Sequence, residues 1–145
     1  MTKRLVAAVI AASLISTGVW AEGQTHFVAV HVNQNDPQVM NMALNNVTNI
    51  TRYYEAQGDE VVVEVVAYGP GLHMFIPGKS PVEDRISTMS LEMENLSFAA
   101  CGNTHRAMSE RAGKDVPMMD EASIVPSGVV RLIELQEQDY AYIRP

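Results

Sequence analysis

The 145-residue chain carries ten Lys and Arg against seventeen Asp and Glu, a net charge of −7, and one cysteine. An acidic surface repels a phosphate backbone, and no basic patch or aromatic-rich motif offsets it, so nucleic-acid binding is excluded. A lone cysteine excludes an internal disulfide, and the length holds one domain with a sizeable core.

The chain opens with Met1-Thr2-Lys3-Arg4, continues through an apolar run from Leu5 to Val19, and reaches Val19-Trp20-Ala21. A basic start, a short apolar core and small residues at the end are the pattern of a secretory signal peptide, here residues 1–21. The run is too short for the roughly 20 apolar residues of a membrane span, and Ser13, Ser16, Thr17 and Gly18 interrupt it. Cleavage after Ala21 leaves residues 22–145 as one exported, soluble domain, periplasmic or secreted and with no membrane attachment. Loss of Lys3 and Arg4 takes the net charge from −7 to −9.

The region His26 to Asn33 is apolar on both parities through Phe27-Val28-Ala29-Val30-His31-Val32, as expected of a strand covered on both faces. Asp36 is placed to cap the next helix and Pro37 to occupy its first position. Met40, Ala43, Leu44, Val47, Ile50 and Tyr54 then form one apolar stripe, and Gly58 ends the helix after about Gln57. Val61 to Tyr68, nearly all apolar and β-branched, predicts the central strand. The glycine- and proline-rich loop Gly69 to Lys79 leaves that strand at its carboxyl end, where sites are built. Ser80-Pro81-Val82-Glu83 has capping-box spacing, and Val82, Ile86, Met89 and Met93 mark the inner face of a second helix.

The stretch from Leu96 to Arg106 carries the most chemistry. Leu96-Ser97-Phe98-Ala99-Ala100 ends in Cys101, and Gly102-Asn103-Thr104-His105-Arg106 begins a short helix closed by Gly113. In an open parallel sheet the crevice beyond the strand ends gathers the chemistry, and a helix N-terminus aimed at a sulfur favours thiolate over thiol. Thr104, with His105 and Arg106, is the expected support for such a thiolate, and His73 and Lys79 can approach from the preceding loop. The competing reading stays open, because free cysteine often ends a core strand as a small hydrophobe. Ser123-Ile124-Val125 is a short fourth strand, Ser127-Gly128 starts a fourth helix, and Tyr140 to Ile143 is a fifth strand. Strands alternating with helices give an α/β domain, a three-layer, flavodoxin-like arrangement of a five-stranded, mainly parallel sheet with helices on both faces.

Several chemistries are absent from the pattern. The first strand-to-helix turn, Asn33 to Pro37, has no glycine and so lacks a dinucleotide or phosphate-gripping loop. No serine sits in a nucleophile elbow, and no second cysteine lies near Cys101 for dithiol exchange. Met40, Met42, Met89, Met93 and Met108 read as helix core, whereas Met74, Met118 and Met119 lie in loops with no metal-ligand spacing among them. No cofactor or metal is implied, although a metal or small-ligand binding protein, or a structural oligomer without covalent chemistry, remains the alternative. His31 reads as a hydrogen-bonded core residue.

Over residues 22–145 the sequence resembles the DsrE/DsrF-like (TusD-like) sulfur-relay family. The resemblance rests on strand one and its long helix, on Phe98-Ala99-Ala100-Cys101-Gly102-Asn103-Thr104, and on the ending from Pro126 to Pro145. It implies a DsrEFH-like fold, assembly as a homotrimer or homohexamer, and a cysteine that carries sulfane sulfur as a persulfide, with Cys101 the functional position. It also implies a sulfur donor or acceptor protein as partner, and a carrier more than a turnover enzyme. The leader is a departure, because the relay proteins concerned work in the cytoplasm. Met118-Met119 and the stretch from Leu72 to Pro77 are the apolar segments expected to be uncovered in a monomer and to form the interface.

Overall fold

Five apolar strands alternate with amphipathic helices in a computed structural model that describes residues 23–145. The expected leader and its cleavage point lie outside the described residues. In chain order the elements are β1 Thr25–Val32, α1 Pro37–Glu55, β2 Glu60–Ala67, α2 Glu83–Glu92, β3 Leu96–Cys101, α3 Gly102–Ala112, β4 Ala122–Val125, α4 Gly128–Glu137 and β5 Ala141–Ile143. The sheet has the order β4-β3-β2-β1-β5, and each neighbouring pair is parallel. β2, the most continuously apolar strand, is central. This is a three-layer, flavodoxin-like α/β fold.

Connectivity decides which face each helix covers. The chain steps from β1 to β2, β3 and β4 in one direction, so right-handed crossovers put α1, α2 and α3 on the same face. The step from β4 to β5 runs back across the whole sheet, which puts α4 on the other. Packing agrees with this. Met40, Leu44 and Val47 of α1 and Ile86 of α2 share one core with Val30, Val65 and Phe98, and Met108 of α3 packs against it. Leu132 and Leu135 of α4 instead pack on Ala29, Val66 and Ala99, the alternate residues of the same strands.

Local chemistry explains the element ends. Asp36 caps α1 by accepting from the Gln38 N–H at 2.7 Å, with Pro37 in the first turn, and Gly113 closes α3 in the left-handed conformation. The second helix starts later than the capping-box spacing predicts. Pro81 and Val82 form a turn, Ser80 Oγ accepts from the Val82 N–H at 3.2 Å, and Glu83 reaches past Ser80 to accept from the Gly78 N–H at 2.7 Å.

The expected loop from Gly69 to Lys79 is largely helical, because Gly69–Phe75 winds into a 3₁₀ segment that drives Leu72, Met74 and Phe75 into the core. Gly71 is required there, since a Cβ would stand 2.3 Å from the Val32 carbonyl oxygen. Met119 is also buried, its N–H donating to the Phe75 carbonyl at 2.9 Å, and Met118 packs against the same core. These segments are therefore not the uncovered apolar surface that the sequence suggested. That surface is elsewhere, on Val129, Val130 and Ile133 along the outside of α4. Met42, expected in the core, is exposed on α1. No helix among the described residues is long and apolar enough to cross a membrane.

Candidate functional site

Cys101 ends β3 at a place the topology singles out. The chain leaves β3 toward α3 on one face and leaves the adjacent β4 toward α4 on the other, so a crevice opens at the carboxyl ends of these two strands. Residue parity turns Cys101 toward the α4 side, in step with Ala99 and opposite to Ala100. Gly128, the first residue of α4, lies so close that a Cβ on it would stand 3.1 Å from the Cys101 Cβ and 3.0 Å from that of Tyr68. Two helix N-termini thus approach one sulfur from opposite faces of the sheet.

The thiol is covered, with 4% of Cys101 exposed. Burial pushes its pKa up, but the Thr104 hydroxyl and the N–H groups of Gly128, Thr104 and Asn103 pull it down, and the balance falls below the ordinary thiol value. Cys101 occupies the N-cap of α3 without a full capping hydrogen bond, so these donors act on the sulfur mainly as oriented dipoles. Thr104 is held in place from its other side, its hydroxyl oxygen accepting from the Gly69 N–H at 2.9 Å.

The other residues expected around the sulfur are engaged elsewhere. His105 Nε2 donates to the Val116 carbonyl at 2.7 Å and lies 3.6 Å from Asp115, which ties α3 to the segment after it. Arg106 bonds to Asn103, one turn back on the same helix. Both line the open groove between α3 and the end of β4, beside Ile124 and Pro126, where they serve as its wall. His73 donates from Nδ1 to the Pro70 carbonyl at 3.1 Å and, with Lys79, lines a separate and larger cleft. Of the supporting residues read from sequence, Thr104 alone bears on the sulfur.

Two features lie beneath α4, of which Glu64 escaped the sequence reading and His31 was read as a hydrogen-bonded core residue. Glu64, 8% exposed in the middle of β2, receives a two-pronged hydrogen bond from Arg131 at 2.7 and 2.6 Å. A carboxylate inside an otherwise apolar strand was the available signal, since such a group needs a cation. The pairing in turn holds the Arg131 pKa above its ordinary value. His31, 3% exposed, contacts the Tyr142 hydroxyl at 2.7 Å through Nδ1 and lies against the Tyr68 ring, while Nε2 has no partner among the described residues. Burial, then the Arg144 charge, lowers its pKa, so the imidazole is neutral near pH 7. No group of three or more His, Cys, Asp or Glu that could hold a metal ion occurs among the described residues.

No family model matches the chain, and no curated protein does. Among solved structures the chain is similar to MTH1491 from Methanobacterium thermoautotrophicum, a protein of unknown function. The likeness has a TM-score of 0.66 and 28% identity, and it covers 85% of this chain and 99% of that one.

Proposed function

We propose that this protein is an exported sulfur carrier of the DsrE/DsrF-like kind, in which Cys101 accepts sulfane sulfur as a persulfide and passes it on. The observation that carries the reading is the position of Cys101 at the N-terminus of α3 with the start of α4 packed against it, where a Gly128 Cβ would stand 3.1 Å from its own. The Thr104 hydroxyl and the N–H donors of both helix starts thereby draw its pKa down. A thiolate is the nucleophile in such transfer. It attacks the terminal sulfur of a donor persulfide R–S–SH, a new S–S bond forms on Cys101, the donor S–S bond breaks, and R–S⁻ departs with the electron pair. The proton stays on the transferred sulfur. The same donors then face the persulfide and can stabilise the negative charge it acquires on ionising.

Intact mass after exposure to polysulfide tests the reading. Carriage demands a gain of one sulfur atom that reductant reverses and that Cys101→Ser abolishes. A folded sample whose thiol alkylates but gains no sulfur refutes it. Near-complete burial of Cys101 favours a second reading, in which the residue only packs the end of β3; a thiol that reacts only after unfolding selects that one.

Assembly and export belong to the same proposal. The apolar outer face of α4, with Val129, Val130 and Ile133 exposed, is the surface on which homotrimers or homohexamers would form. Light scattering of the chain and of Ile133→Asp checks this, the variant being the smaller species; a native monomer at micromolar concentration overturns it. Export predicts a mature N-terminus at Glu22, read by terminal sequencing of the secreted or periplasmic protein.

A further inference from the structure

A second cleft lies apart from the groove beside Cys101. It measures about 830 Å³ and opens above the carboxyl ends of β1, β2 and β3, between the 3₁₀ segment and α3. That size is in the range of small-molecule sites. Its charge is anomalous for this protein. In a chain of net charge −7, the wall contains the cations Lys79 and Arg111, with His73 beside them, and no Asp or Glu. None of the three forms an ion pair among the described residues, whereas Arg131 is paired with Glu64 and Glu134. Ile76, Met108 and Val116 add an apolar wall to the same cleft.

We propose that this cleft binds a small organic carboxylate, its charged end held by Lys79 and Arg111 and its apolar body lying against Ile76, Met108 and Val116. Unpaired cations facing a largely apolar hollow are complementary to an anion that carries hydrocarbon, and arginine suits a two-pronged grip on a carboxylate. Phosphate is the poorer match. A phosphate site of the usual kind needs free backbone N–H groups in its loop. Here the Gly69 N–H donates to Thr104, Pro70 has none, and the Gly71 N–H donates to the Tyr68 carbonyl at 3.1 Å. Recognition is therefore left to side-chain cations. This site does not depend on persulfide chemistry at Cys101, although Thr104, which lines the cleft, also faces the sulfur.

Phenylpropionate and its uncharged isostere phenylpropionamide make a matched pair of probes for the full chain, followed by calorimetry and by the methyl NMR signals of Ile76 and Met108. We expect the acid to bind with shifts at both methyl groups and the amide to bind at least about tenfold more weakly. Lys79→Gln combined with Arg111→Gln replaces two exposed side chains, leaves the fold intact, and weakens the acid by about tenfold or more. Equal binding of acid and amide, full affinity in the double variant, or no binding of the acid at millimolar concentration each overturns the proposal. Inorganic phosphate that binds more tightly than the acid overturns the carboxylate assignment.

Discussion

Each face of the sheet is built from alternate residues of the same strands, and the two have become different materials. Toward α1, α2 and α3 the strands present Val30, Val65, Phe98 and their neighbours, closed over by Met40, Leu44, Phe75 and Ile86, with His26 at the start of β1 as a polar exception, stacked on Tyr54 and paired with Asp59. Toward α4 they present Ala29, Val66 and Ala99, but also His31, Glu64, Tyr68 and Cys101. One ten-residue helix covers this second face, and Ser97 and Ser123 are left exposed on it. Three helices exclude water from the middle of a face, so apolar residues fill it and the polar His26 is confined to its edge. A single helix leaves room for polar groups, provided that its own residues and its N-terminus satisfy them. Apolar packing is concentrated on one face and buried titratable groups on the other.

Truncation under the three helices tests that division most severely. Phe75 is fully buried and meets Phe98 edge-on, with ring centroids 5.8 Å apart. Phe75→Ala is expected to cost about 3–5 kcal/mol in urea unfolding. Ile133→Ala on the exposed side of α4 should stay within about 0.5 kcal/mol in the monomer. Similar losses at the two sites would break the comparison.

The Glu64–Arg131 pair probes the second face. Arg131→Met strands a carboxylate that is 8% exposed, and the expected loss is about 3 kcal/mol. Adding Glu64→Leu removes the stranded charge and should restore most of that loss, because a buried pair is worth little against an apolar replacement. An additive double variant would mean that the two side chains act separately.

The layers were legible because they follow from apolar spacing. The stripe from Met40 to Tyr54 fixed α1, the run from Val61 to Tyr68 predicted the central strand, and alternating elements predicted the parallel sheet. The sequence also placed Cys101 at a strand end before a helix, with Thr104 in the first turn. It misjudged His105 and Arg106, since neighbours in sequence on a helix point different ways, and His105 is captured by the Val116 carbonyl. Met119 and the Leu72 to Phe75 stretch looked like loop and turned out to be core, because 3₁₀ winding and a backbone bond between distant segments leave no periodic signature. The approach of Gly128 to Cys101 is a product of topology, the return of the chain across the sheet, and no local pattern records it.

Gly128 tests that approach directly. Alanine is the better helix former, which favours Gly128→Ala by up to about 1 kcal/mol. Against this, the new Cβ meets Tyr68 and Cys101 at 3.0 and 3.1 Å, and overpacking costs about 1–3 kcal/mol. The net expectation is a modest loss of stability together with slower alkylation of Cys101, as α4 and its N–H move off the sulfur. A stabilised variant with unchanged thiol reactivity would show that α4 does not support the cysteine.

The smallest expected effect discriminates most sharply between the residues around the sulfur. A thiol whose pKa lies below the ordinary value is more ionised at a given pH, so its alkylation rate rises at a lower pH than that of a free cysteine. Thr104→Val keeps the shape of the side chain and removes the hydroxyl, one of the donors that oppose the effect of burial, so the midpoint should move up. His105→Gln and Arg106→Gln should leave the midpoint in place, because the first side chain is committed to Val116 and the second to Asn103. If the midpoint moves with either of these and stays fixed in Thr104→Val, the thiolate is held by cationic side chains, and the account of two helix ends meeting at Cys101 fails.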